Sequence, residues 1–71
     1  MDVAVAKVLV KTEKRLLDAI TEKLGETAKN DIEHGHVLVV VNGKIVNPEE
    51  IDKKTVKPND IILLLPKLYG G

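Results

Sequence analysis

The chain contains no cysteine, tryptophan or phenylalanine, and Tyr69 is its one aromatic residue. Without cysteine there is no thiol nucleophile, thiolate metal site or redox pair, and stability cannot come from disulfides; the composition fits a reducing compartment, and we expect a cytoplasmic protein. One tyrosine provides no stacking platform for nucleotide bases. Charge of one sign is also missing: eleven basic and eleven acidic residues cancel, whereas nucleic-acid binding leaves a basic surplus on one face. No apolar run approaches the length of a membrane span. Asp2 to Val10 is too short for a leader sequence and carries Asp2 ahead of its apolar part. Neither a nucleic-acid nor a membrane partner is expected.

What is present fits one small soluble domain, 1–71. Its 71 residues are 44% hydrophobic and 31% charged, an ordinary globular balance. At this size folding buries only about 60% of the unfolded chain's surface, so stability is modest. Val3 to Val10 reads as a strand, apolar on both faces except at Lys7. Thr12 is a candidate helix N-cap with Glu13 in the first turn. Leu16, Leu17, Ile20 and Leu24 then follow helical spacing as one core-facing stripe, and Gly25 stops the helix. Glu26 to Gly35 is either a loop or a second short helix.

Val37 to Val41 is β-branched and leads through Asn42-Gly43 into Lys44-Ile45-Val46, the strongest short hairpin signal. Asn47-Pro48-Glu49-Glu50 reads as a single capped helical turn. Lys57-Pro58-Asn59-Asp60 is turn chemistry and feeds the last strand, Ile61 to Leu65. One helix covers one face of the sheet, yet the runs at 37–41 and 61–65 are apolar on both faces. One face is therefore expected to carry an apolar patch open to another protein or subunit, unless the rest of the chain folds over it.

Three side-chain groups invite a chemical reading. His34 and His36 lie two apart and share a side on an extended segment, with Asp31 or Glu33 as further ligands. Zinc sites need three or four well-placed groups, so an exposed turn is the simpler reading and no metal is expected. Glu49, Glu50 and Asp52 are acidic neighbours without the pocket that acid–base work requires. Lys53, Lys54 and Lys57 form a solvated face, or a docking patch for an acidic partner.

The chain's end is more informative. Leu65-Pro66-Lys67-Leu68-Tyr69-Gly70-Gly71 places two side-chain-free residues after an apolar strand. Glycine threads a narrow channel in almost any backbone conformation.

Val39 to Val46 with its central Asn42-Gly43, Val56 to Leu65 with its Lys57-Pro58-Asn59-Asp60 entry, and Leu65 to Gly71 together resemble the ubiquitin-like β-grasp sulfur carriers. That branch includes MoaD, ThiS and small archaeal modifier-type proteins. The resemblance covers roughly residues 13–71. It implies an α+β, β-grasp fold: a mixed sheet with one main helix packed on one face, and a flexible C-terminal tail at 66–71. Two positions depart from the pattern. Lys67 stands where a second proline is frequent, and Asn59 where glycine is usual. Family members also open with a hairpin, whereas only about nine residues precede the helix here. Either the first strand is lacking or 2–10 takes its place, and a free sheet edge invites pairing with a second copy.

The resemblance also implies the chemistry. It assigns no catalysis and no bound cofactor to the chain itself. A separate adenylating enzyme, of the kind that activates ubiquitin, uses ATP and magnesium to adenylate the carboxylate of Gly71. Sulfur then replaces AMP, giving a thiocarboxylate that supplies a sulfur-accepting synthase or thiolation enzyme in molybdopterin, thiamine or tRNA thiolation. Gly70 keeps the tail slim, and Pro66, Leu68 and Tyr69 give the partner a grip. The alternatives are a ubiquitin-like modifier joined to target lysines, and an interaction domain whose tail is inert.

Overall fold

The computed structural model describes residues 6–67. The chain runs β1 (Ala6–Leu9), β2 (Lys14–Arg15), α1 (Leu16–Leu24), α2 (Glu26–Glu33), β3 (Val37–Val41), β4 (Lys44–Val46), α3 (Pro48–Ile51), β5 (Thr55–Val56) and β6 (Ile61–Pro66). Four strands form the main sheet in the order β1-β6-β3-β4, and β2 pairs with β5 in a separate two-stranded ribbon.

The expected mixed sheet narrows on inspection. Every pairing among the described residues is antiparallel. The strand that leads into the helix lies directly beside β6, running opposite to it, and no parallel partner separates the two. The described residues thus contain no hairpin ahead of the helix, and β1 stands at the sheet edge.

The hairpin forms as its sequence predicts. Asn42 and Gly43 have φ of 50° and 83°, the pair of positive values that a two-residue type I′ turn requires. Asn59, with φ 77°, explains why asparagine can stand where glycine is usual: it is the other residue that tolerates this region.

The start of α1 is a correction. Thr12 does not cap it; the helix begins at Leu16, and Arg15 occupies the N-cap position without a side-chain cap. Lys14 and Arg15 instead pair with Val56 and Thr55. The first helical amide, Leu16 N–H, donates to the Lys54 carbonyl at 2.9 Å. A distant backbone carbonyl thereby satisfies a donor that a local cap would otherwise serve. Gly25 (φ 86°) ends α1, and 26–35 resolves into the helix α2. That helix closes through Gly35 N–H to Ile32 O and His36 N–H to Asp31 O, a Schellman arrangement that turns the chain into β3.

Leu16 and Ile20 are fully buried with Val39, Val56 and Ile62. Leu17, Leu24, Ala28 and Ile32 pack around that centre, half-buried. The helical stripe read from the sequence is core, joined by Ala19.

A side-chain latch fixes the entry to β6. Asn42 Nδ2 donates to Asp60 Oδ1, Lys57 N–H to Asp60 Oδ2, and Ile61 N–H to Asn42 Oδ1, each at 2.9 Å. The Lys57 amide, then the Asn42 amide, holds the Asp60 carboxyl below its usual 3.8. A carboxyl depressed on folding adds stability above its unfolded value and loses it as pH falls through the folded one. Asp60→Asn should therefore lower the urea midpoint at neutral pH, with the gap to the parent closing as the pH is taken below 3.8.

Two further substitutions test the framework. Ile20→Ala should cost about 3 kcal/mol in urea unfolding, as expected for a buried aliphatic truncated to a cavity. At Gly43 a Cβ would meet nothing within 4 Å, so Gly43→Ala should lose only the conformational term, about 1 kcal/mol.

Candidate functional site

Alternation along the strands sorts the sheet's side chains into two faces. Val8, Val39, Val41, Val46, Ile62 and Leu64 point to the helices and join their core. Their neighbours in sequence point the other way. Register places Lys7, Leu63, Val40 and Ile45 in one row across all four strands, flanked by Leu9 beside Ile61 and by Leu38 beside Leu65.

The apolar residues of all three helices join the opposite, core side. Among the described residues nothing caps the second face, which is the open patch the sequence predicts. Ile45 is 63% exposed, Leu9 50% and Ile61 36%. Val40 is only 7% exposed although it lies outside the helix-covered core; its row neighbours shield it.

At one end of this face β6 runs out. Pro66 opposes Val37 and still belongs to the strand, so the boundary at 66 read from the sequence falls one residue inside the sheet. Proline is tolerated there because its nitrogen is directed to the β1 side, where pairing stops at Leu64 among the described residues. The Lys67 amide donates to the His36 carbonyl at 3.0 Å, the final backbone tether to β3. Of the candidate tail residues only Pro66 is described; Leu68, Tyr69, Gly70 and Gly71 lie outside the described residues.

The tether brings the histidine pair to the base of the tail, a proximity that 31 residues of sequence separation concealed. The two imidazoles stack with centroids 5.7 Å apart. His34 Nδ1 lies 2.8 Å from the Asn30 carbonyl and His36 Nδ1 3.5 Å from Asp31. Among the described residues no group of three potential metal ligands converges. Glu49, Glu50, Asp52, Lys53, Lys54 and Lys57 are all exposed. No helix among the described residues is long and apolar enough to cross a membrane.

Carboxylates elsewhere are held by ordinary surface interactions. Lys14 Nζ contacts both oxygens of Glu22 at 2.8 Å, and that hydrogen bond, with the lysine's charge, lowers the Glu22 carboxyl below its usual value. Neither Asp60 nor Glu22 sits in an enclosed acid–base pocket. The usable features are the apolar sheet face and the strand end beside it, and both suit docking and presentation.

No curated protein and no solved structure matches the chain. The model of the ThiS family matches residues 3–71. Helices on one face of a four-stranded sheet give the α+β content of a small β-grasp fold. The chain belongs to the ThiS family, whose members are small β-grasp sulfur carriers that work with partner enzymes.

Proposed function

We propose that the reacting group is the main-chain carboxylate of Gly71, activated by a separate adenylating enzyme that docks on the open sheet face. The observation that supports this reading is the junction of that apolar face with the end of β6. A partner seated over Ile45 and Leu63 lies next to the strand end from which residues 68–71 continue.

A carboxylate resists nucleophilic attack because its charge is delocalised. In the proposed sequence its oxygen attacks the α-phosphorus of ATP, and pyrophosphate leaves with magnesium. The resulting mixed anhydride has AMP as leaving group. A persulfide sulfur of a partner attacks the carbonyl carbon and expels AMP, giving an acyl disulfide. A second thiol of the partner then attacks the distal sulfur; the S–S bond breaks, the terminus departs as a thiocarboxylate, and the partner's two sulfurs are left oxidised as a disulfide. The carrier supplies no acid, base or metal. Its contribution is a slim terminus at Gly70 and Gly71, with Pro66, Leu68 and Tyr69 as the segment the partner grips. The setting we propose is the cytoplasm, with molybdopterin, thiamine or tRNA thiolation as the sulfur-accepting pathway.

Incubating the protein with a cognate adenylating enzyme, ATP and a sulfur source should replace one oxygen by sulfur, read by intact mass. Adding one residue after Gly71 should abolish that exchange, and full activity of the extended chain would overturn the assignment. Conjugates of higher mass in lysate, in place of the thiocarboxylate, would make the protein a modifier of target lysines. Ile45→Asp should cost about 1 kcal/mol of stability, since the side chain is largely exposed but a strand disfavours aspartate, yet raise the KM of the adenylation about tenfold by placing a charge in a desolvated contact.

A further inference from the structure

The geometry points to a second binding site, unrelated to the C-terminus: a groove between β1 and α1 that receives an extended acidic segment of a partner protein as an added strand. The edge is open in a specific way. Val10 N–H donates to the Asp60 carbonyl and its own carbonyl accepts from Asn59 N–H, so Val10 faces β6. Ile61 is bonded on its other side, through its amide to Asn42 Oδ1 and its carbonyl to Asn42 N–H. Antiparallel pairing alternates, so Val8 faces Ile62 while Lys7 and Leu9 turn their backbone N–H and C=O groups outward. Among the described residues no strand takes up those groups.

Beside this edge lies a cavity of about 230 Å³ whose floor is Val8, Val10 and Ala19. A strand laid along Lys7 and Leu9 sends alternate side chains into it, beneath α1. Small aliphatic groups match that floor.

The rim sets the charge of the occupant. Lys11 and Lys23 line the mouth with Lys14 and Glu22. Lys14 neutralises Glu22 in the 2.8 Å pair. Lys11 and Lys23 form no ion pair among the described residues. The groove therefore presents a surplus of positive charge around an apolar floor and a row of backbone donors and acceptors. An extended segment with aliphatic residues flanked by aspartate or glutamate meets all three requirements. A second copy of this chain fits less well, because its β1 edge would bring Lys11 against the same lysines.

The test uses the full chain and a capped peptide of alternating valine and serine flanked at both ends by aspartates, followed by amide chemical shifts. Shifts and new amide protection at Lys7 and Leu9, with smaller shifts at Ala19 and Lys23, are expected. Leu9→Pro removes only an outward N–H, a position where an edge strand accepts proline, and should reduce binding about tenfold or more. The double variant Lys11→Glu/Lys23→Glu keeps the backbone intact and should weaken binding by about fivefold or more, while the same peptide with lysine flanks should not bind. Undiminished binding to both variants, shifts centred on Ile45 instead, or no binding at all would overturn the proposal. So would concentration-dependent shifts along β1 without peptide, which would assign the edge to a second copy.

Discussion

β6 is held on both sides and used on both faces, and the rest of the molecule is arranged around that constraint. Its even positions, Ile62 and Leu64, enter the core; its odd positions, Ile61, Leu63 and Leu65, form the spine of the open face. The same alternation governs its backbone, with odd residues bonded towards β3 and even ones towards β1. A one-residue slip would exchange the two faces and move the core side chains into solvent. The Asn42–Asp60 latch stands where such a slip would start. It sets the register before the strand begins, and the Lys67 amide closes it at the far end.

Much of this was legible because it is local. The Asn42-Gly43 turn and the Pro58-Asn59 turn declare themselves by residues that accept positive φ, and the Leu16–Ile20–Leu24 stripe by its period. An apolar patch followed from counting: one covering layer cannot serve strands that are apolar on both faces. The family pattern in the last sixteen residues was likewise readable, because strand, turn and tail chemistry follow one another without a gap.

What escaped depends on contacts across the chain. Lys14-Arg15 looks like the first turn of a helix, and in isolation it would be a reasonable one. Its pairing with Thr55-Val56, about forty residues away, replaces helical bonds with sheet bonds and moves the helix start to Leu16. The polar segment 26–35 has only Ala28 and Ile32 to bury, too weak a stripe to separate helix from loop; packing against α1 decides it. Pro66 suggested a departure from the sheet, yet a proline whose nitrogen needs no partner can remain in a strand. Histidine spacing hinted at metal chemistry, whereas the fold uses His36 through its main-chain carbonyl.

That carbonyl has a geometric consequence for any enzyme that acts on the terminus. Lys67 is the last residue bonded to the sheet among the described residues; Gly71 lies four positions on, and four fully extended residues span about 13–14 Å. On the proposed reading, in which the Gly71 carboxylate reacts, the reacting carbon lies within about that distance of one corner of the domain. An enzyme with a deeply recessed catalytic centre would then have to admit the domain itself, so a partner of the proposed kind would keep its nucleotide close to its surface or open a mouth wide enough for the whole carrier. On that reading the His36–Lys67 bond would set the length of a ruler, and through it the depth at which activation can occur.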